Sequence, residues 1–412
     1  MRRHLRRFSP VLEFLLVFFL LIAAIGTWIH LLEPAEISAR DAVIAQRAWT
    51  NEKHQQLDPA KALTTLPLEM LQSVYATDGL VETTQPGPQT DVVEVGVFMD
   101  NNYDFDMTVP MVSSTGSLWL RWKEPLEQKL KQRQIKITDL VSFPNQTQSW
   151  DGTTTPLIEQ PTRLANGDYY QRIHFDDNFY IQNLGLKRYP FQTIHSPLVI
   201  QLSDDSGAFN FSNLRLSPDR ASSGIGRFID LNGFIMRGWN LSEFRHVFDS
   251  DFGLNERVTG KPSTDLSLSE IIFSVAYTRS VRSSIWTLFQ PLAIVMATVI
   301  LSPSLSSKFW DIRIAIPATA ILTLVFLQQG YRAELPDPPY LTFIDHIYVI
   351  CYVICLLCFL LYVWAANRLQ TAPEHREVET IRQIDRVDMA FQIFCGLALI
   401  VGGVISWVVS GG

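Results

Sequence analysis

The sequence predicts a membrane protein in which an outer antiparallel β-sandwich is followed by a bundle of four transmembrane helices, with a further helical anchor near the N-terminus. Three observations predict this fold class. Apolar residues are concentrated in five blocks, four of them close together toward the C-terminus. The segment before those four consists of short strand-like runs separated by turn residues. That segment also carries the excess negative charge, as expected of a solvated domain.

Each apolar block is close to the roughly 20 residues that a helix needs to cross a bilayer. The last three blocks contain at most one or two charged residues, mostly at an end. We therefore predict five membrane helices, at residues 10–30, 284–303, 311–329, 344–366 and 389–409.

The first block fits two descriptions, a signal peptide or an uncleaved membrane anchor. Four arginines within the first seven residues precede it, as in both classes. Its apolar stretch is longer than the usual signal core of about 7–15 residues. The small-residue site near Ala39 is also a poor match to a cleavage site. The length favours an uncleaved anchor.

The charges of the loops predict the orientation. The basic start is expected to stay in the cytoplasm, which places residues 31–282 outside. Counting helices forward puts 304–310 and 367–388 inside and 330–343 outside. The two inner loops together hold five Lys and Arg residues, and the outer loop holds one. The positive-inside rule and the helix count therefore agree.

These features divide the chain into five parts. A basic tail, 1–9, and the signal-anchor helix, 10–30, come first. Residues 31–90 read as a helical extension and linker, which a turn-rich stretch of Pro and Gly brings to an end. Residues 91–282 are the predicted sandwich, and 283–412 are the four-helix transmembrane domain.

The sandwich is predicted from runs rich in β-branched and aromatic residues, bounded by Gly, Pro, Asn and Asp. Such a pattern favours antiparallel sheets over alternating βαβ units. The predicted strands are Val92–Phe98, Ser117–Trp122, Tyr169–Phe175, Leu198–Leu202, Arg227–Met236 and Leu266–Tyr277.

Charge and cysteine usage exclude several classes of protein. The net charge of −7 gives no reason to expect a nucleic-acid partner. Residues 31–282 hold 31 acids and 23 bases and no cysteine, so no disulfide framework is predicted there. The four cysteines lie in the C-terminal apolar blocks, where we expect them to pack between helices. They are Cys351, Cys355, Cys358 and Cys395.

A search for catalytic motifs predicts no enzyme. The sequence lacks the His-Glu-x-x-His zinc helix, the glycine-rich phosphate loop and the nucleophile elbow. The eight histidines are scattered, and His174 and His195 lie in strand-like runs, where a structural role is expected. No metal site and no cofactor are predicted.

One face of the helix 311–329 differs in composition from the others. Its residues follow one another at steps of three or four, so they form one stripe. The stripe begins with an acid, continues through small and hydroxyl residues to two bulky apolar residues, and ends with an amide. Two interpretations remain open: a pore lining shared by several subunits, or helix packing through Ala and Thr. The stripe consists of Asp311, Ala315, Thr319, Leu322, Phe326 and Gln329.

Two further residues bear on this helix. Arg313 is expected to pair with Asp311 or to reach the membrane interface. Pro317 removes the backbone hydrogen bond to the carbonyl of Arg313 and is expected to loosen that turn.

Five stretches follow one another along the chain: Gly96–Trp122, Lys187–Thr193, Gly238–Leu241, Arg279 with Trp286–Pro291, and Leu335–Tyr340. In this order they resemble the prokaryotic members of the pentameric ligand-gated (Cys-loop-like) channel family. The loop Tyr189-Pro190-Phe191-Gln192 is similar to the Tyr-Pro-Phe-Asp loop of bacterial members. The resemblance extends from about Val92 to Val409.

The resemblance implies a homopentamer in the plasma (inner) membrane, with the large domain on the periplasmic side. It implies a ligand- or proton-gated channel for monovalent cations, whose second channel helix carries the stripe. Leu322 and Phe326 are then the gate and Asp311 the selectivity residue. The implied gating junction between sandwich and membrane contains Asp106, Tyr189, Pro190, Phe191, Arg279, Pro336 and Tyr340.

The chain also departs from the family pattern. Gln192 stands where the family has an acid, so Asp106 is left as the predicted partner of Arg279. The bulky Leu322 and Phe326 make a second function possible, a non-conducting receptor or scaffold of the same architecture. The ligand is not identified: protons, small amines and acidic metabolites all remain. Trp239, Phe244 and Phe248 are either an aromatic ligand cage or core residues, and the core interpretation is favoured.

Overall fold

A computed structural model describes residues 80–82, 90–147, 152–202, 209–229, 231–248 and 267–411. The chain divides into two compact units. The helical unit contains residues 186–192 and 279–411, and the sheet unit contains the other described residues. The predicted tail 1–9, the anchor 10–30 and most of the extension 31–90 lie outside the described residues.

The sheet unit contains twelve strands in its described part, the last of which ends on the first residue of the helical unit. Two short helices, α1 (Glu124–Arg133) and α2 (Ile137–Leu140), follow the third strand. The strands are β1 (Leu80–Glu82), β2 (Asp91–Asp106), β3 (Met111–Trp122), β4 (Val141–Ser142), β5 (Thr153–Pro156), β6 (Thr162–Arg163), β7 (Tyr169–Tyr180), β8 (Thr193–Leu202), β9 (Leu214–Pro218), β10 (Gly224–Phe228), β11 (Phe234–Val247) and β12 (Ser267–Arg279).

The strands form two sheets. One has the order β1-β11-β12-β8-β4, and the other has the order β10-β2-β3-β7-β5, with β6 beside β7 and β9 beside β2. The second sheet is not purely antiparallel, because β9 and β10 both run parallel to β2. A strand joined to its neighbour by a tight turn must reverse direction. Six strands separate β2 from β9 in the chain, so that restriction does not apply.

Side chains of the two sheets meet in one core. On β2, Val93, Val95 and Val97 are fully buried, with the half-buried Glu94 and the buried Gly96 between them. Asn102 of β2 donates hydrogen bonds to the hydroxyls of Ser196 on β8, at 3.3 Å, and Tyr277 on β12, at 2.9 Å. These bonds join the sheets through the middle of the unit.

Five of the predicted strands are confirmed as β2, β3, β7, β8 and β12, the first four with wider bounds and the last from Ser267 to Arg279. The predicted strand Arg227–Met236 is wrong, because β10 ends at Phe228 and β11 begins at Phe234. Gly233 lies between them with φ +83°, a left-handed conformation that glycine adopts without strain. The preceding Asn232 completes an Asn-Gly pair, which is a turn signal.

The helical unit contains four long helices, α3 (Val281–Ser304), α4 (Trp310–Arg332), α5 (Phe343–Gln370) and α6 (Glu377–Gly411). Each is long and apolar enough to cross a membrane, and the four contain the last four predicted helical segments. The four cysteines are buried and free, as predicted.

The predicted inner loop 367–388 is wrong in extent. Helix α5 continues to Gln370 and α6 already begins at Glu377. The first turns of α6 are amphipathic, with Ile384 and Asp388 buried and most of their neighbours exposed. A criterion based on continuous apolar blocks misses such a polar beginning.

Candidate functional site

All six residues of the predicted stripe on α4 are exposed on the single chain. Leu322 is 56% exposed and Phe326 is 63% exposed, although both are large and apolar. At about 100° per residue, the stripe occupies one side of the helix. The buried residues of α4 occupy roughly the opposite side and pack into the bundle. They are Arg313, Pro317, Ala320, Leu324 and Tyr331.

The composition of this exposed face limits what it can contact. Asp311 at one end, Gln329 at the other and Thr319 between them are polar, and polar side chains are costly in lipid hydrocarbon. The middle is apolar at Leu322 and Phe326. The exposed face is therefore polar at both ends and apolar in the middle.

Arg313 does not belong to this face. Its side chain is 2% exposed, and its Nη2 lies 2.5 Å from the carboxylate Oδ2 of Asp388 on α6. Its guanidinium lies 4.3 Å from the centre of the Tyr362 ring on α5. Arg313 was expected to pair with Asp311 or to reach the membrane interface. In the structure it pairs with Asp388 inside the bundle instead. Among the charged residues of α4, Asp311 is the one that lies on the stripe.

The loop of residues 186–192 forms the second part of the site. Tyr189 is fully buried, and its ring stacks on Tyr331 of α4 with centroids 6.1 Å apart. Its hydroxyl accepts a hydrogen bond of 2.9 Å from Arg279. Burial raises the pKa of Tyr189, and the nearby charge of Arg279 opposes that rise. The peptide bond between Tyr189 and Pro190 is cis.

Phe191 anchors the same loop to the other three helices. Its ring lies 5.8 Å from Phe289 on α3, 6.1 Å from Phe343 on α5 and 6.1 Å from Trp407 on α6. Phe343 and Trp407 also meet edge to face at 5.4 Å. Aromatic pairs at such separations are favourable beyond the area that they bury. Tyr189 and Phe191 together therefore contact all four helices.

The remaining predicted junction residues occupy different surroundings. Arg279 has the Glu334 carboxylate at 3.9 Å, an acid that the sequence analysis did not single out. Asp106 lies at the end of β2 in the sheet unit, where it accepts two 2.8 Å hydrogen bonds from Thr108, and these lower its pKa. Pro336 is half-buried and Tyr340 is exposed, both in the connection from α4 to α5.

Asp345 is a buried acid that sequence reasoning missed. It is 1% exposed and accepts hydrogen bonds from the Thr342 amide at 3.0 Å, from the Tyr331 hydroxyl, and from Arg332 Nε at 3.2 Å. Gln328 donates a further bond of 3.3 Å. Thr342 and Asp345 form a capping box at the start of α5. The Thr-x-x-Asp spacing before an apolar run was the available signal.

The candidate cage residues are largely core residues. Trp239 is 7% exposed and stacks on Phe273 at 5.4 Å, and Phe244 is 2% exposed. Phe248 is half-buried and stacks on His246 at 4.4 Å. These contacts favour the core interpretation and leave the ligand site unassigned.

His195 on β8 predicts an acid sensitivity of the sheet unit. It is buried, and burial lowers its pKa to about 4. An unfolded histidine has a pKa of about 6.5, so acid protonates the unfolded chain first. Stability from the neutral ring is therefore present above pH 6.5 and is lost as the pH falls toward 4. Between pH 7 and pH 4.5 the loss is about 2–3 kcal/mol.

The measurement is the unfolding free energy of the full chain in detergent at both pH values. His195→Gln should reduce the drop between them, while His375→Gln, at an exposed position between α5 and α6, should leave it unchanged. Equal drops in all three proteins would contradict the assignment.

Comparison of the chain with models of known protein families and with curated proteins finds no match. In the described ranges, no group of three or more His, Cys, Asp and Glu side chains is placed to hold a metal ion. The function is therefore inferred from the stripe, the loop and the sequence motifs.

Proposed function

We propose that the chain is a subunit of a homopentameric ligand- or proton-gated channel selective for monovalent cations. Its four C-terminal helices would span the plasma membrane, and the sheet unit would be a sandwich on the outer, periplasmic side. Residues 10–30 would add an N-terminal anchor. The observation that carries the proposal is the exposed stripe on α4, whose residues run from an acid to an apolar middle.

The stripe supports a pore because of its order as well as its exposure. A ring of Asp311 carboxylates would attract cations at one end. Rings of Leu322 and Phe326 would close the path by excluding water from an apolar constriction. The pairing of Arg313 with Asp388 favours cation selectivity, because it holds the positive charge inside the bundle.

The loop 186–192 supports a gating role. The chain passes from β7 into this loop and from it into β8, so it is continuous with the sheet unit on both sides. Tyr189 contacts the pore-lining helix through Tyr331, and Phe191 contacts α3, α5 and α6. A ligand or proton bound in the sheet unit would act on α4 through these contacts.

A second candidate function is a non-conducting receptor or scaffold on the same architecture. Leu322 and Phe326 favour it, because two bulky apolar residues one turn apart can keep a pore permanently dry. In that case the outer domain would bind a ligand or partner without ion flow.

Ion flux through the purified chain in liposomes tests the proposal. Potassium or chloride gradients are imposed, and the outside pH is stepped from neutral to acidic. Cation flux on acidification supports a proton-gated channel. The absence of flux at every pH from a verified pentamer leaves an unknown ligand or the non-conducting alternative. The variant Leu322→Ala, which widens the apolar constriction, separates these two explanations.

A further inference from the structure

The buried ion pair between Arg313 and Asp388 joins elements from the whole helical unit. Both side chains are shielded, at 2% and 4% exposure. The Tyr362 ring of α5 covers the guanidinium, and the Tyr362 hydroxyl shares a hydrogen bond with Ser302 at the end of α3. The pair and its surroundings therefore involve all four helices.

Each charge of the pair is neutralised mainly by the other. Arg313 Nε and Asp388 Oδ1 are buried and have no hydrogen-bond partner among the residues that the structure describes. Lys308 is the last basic residue before α4. It has its own partner, because its Nζ lies 3.5 Å from the carboxylate of Glu377. Taking one member of a buried pair away leaves the other charge uncompensated, which is strongly unfavourable.

The position of Arg313 makes this neutralisation relevant to ion selection. Arg313 is two residues from Asp311 and points to the opposite side of α4. Resting on the proposed channel function, we propose that Asp388 is a specificity-determining residue that acts through Arg313. It holds the guanidinium inside the bundle and cancels its charge. Asp311 is then the uncompensated charge at this end of the pore.

The reversal potential of the full-length channel in a potassium chloride gradient tests this proposal. With Asp388→Asn, each subunit gains one uncompensated positive charge near the pore end. The ratio of potassium to chloride permeability should then fall roughly fivefold or more, since a unit charge about 10 Å away, across the width of a helix, changes the energy of an ion by more than the thermal energy at the effective dielectric constant of about 20 near a protein surface. Glu379→Gln, at an exposed acid of the same helix, makes the same charge change and should leave the ratio unaltered.

A rescue separates the charge effect from a structural defect. The double variant Arg313→Gln with Asp388→Asn removes both charges, so its permeability ratio should return to that of the wild type. The proposal would be overturned if the permeability ratio of the double variant were as low as that of Asp388→Asn alone. So would an unchanged ratio in Asp388→Asn pentamers.

The experiment also distinguishes two further outcomes, a failure of assembly and an absence of conduction. If Asp388→Asn subunits do not assemble alone, mixed pentamers with wild-type subunits carry the test, and the ratio should fall with each variant subunit. An unchanged ratio in the mixed pentamers also overturns the proposal.

If neither the wild type nor a widened pore conducts, the channel function fails and this inference fails with it. If the wild type conducts cations and only the ratio is insensitive to Asp388, the channel function stands.

Discussion

Leu322→Ala is expected to give a pentamer that leaks potassium at rest. The alanine removes apolar surface worth about 2 kcal/mol from each subunit. A barrier lowered by about 1.4 kcal/mol is already crossed ten times faster, so we expect resting efflux to rise by about tenfold or more. The measurement is potassium efflux from liposomes at neutral pH without added ligand.

The matched control is Leu327→Ala, the same substitution at a half-buried position of the same helix. Five residues along an α-helix correspond to about 140° of rotation, so this side chain lies away from the stripe. It should leave the resting efflux at the wild-type level. An assembled Leu322→Ala pentamer without any leak would show that the stripe does not line a gate. If Leu322→Ala leaks potassium while the wild type conducts no ions, a pore exists and only its ligand is missing.

Asp345→Ala is expected to destabilise the helical unit by about 3–5 kcal/mol. The carboxylate is buried and accepts hydrogen bonds from the Thr342 amide, from Tyr331 and from Arg332. Each buried donor left without an acceptor costs about 1–3 kcal/mol. Arg332 is 38% exposed and partly hydrated, so most of the loss comes from the other two donors. The measurement is guanidinium unfolding of the full chain in detergent, followed by tryptophan fluorescence.

Asp337→Ala provides the control, because Asp337 is an exposed acid in the connection from α4 to α5. Its unfolding free energy should stay within about 0.5 kcal/mol of the wild type. Equal unfolding midpoints for the two variants would show that the hydrogen bonds of Asp345 contribute nothing.

Asp345→Ala also tests the gating role of the loop 186–192, because Tyr331 bonds to Asp345 and stacks on Tyr189. Activation of the channel should then require more acid or more ligand.

The length of the apolar blocks was sufficient to predict the four long helices, and the periodicity of the sequence was sufficient to pick out one face of α4. A helix of roughly 20 apolar residues has few alternatives to crossing a bilayer. The residues from Asp311 to Gln329 recur at helical spacing, and the structure leaves that face exposed. Runs rich in β-branched and aromatic residues between turn residues likewise predicted β2, β3 and β7, with shorter bounds than the structure has.

The partners of the polar side chains were decided only by the tertiary structure. Asp388 lies 75 residues beyond Arg313, and nothing in the local pattern around either residue indicates the pair. Glu334 was missed for the same reason, because the contact that gives it a role comes from Arg279 in another element. Asp345 had a local signal in its capping box with Thr342, but its hydrogen bonds to Tyr331 and Arg332 come from α4. Spacing along the chain shows which face a residue occupies. Which charge lies opposite that face depends on how the helices pack, and that is set by contacts between residues distant in sequence.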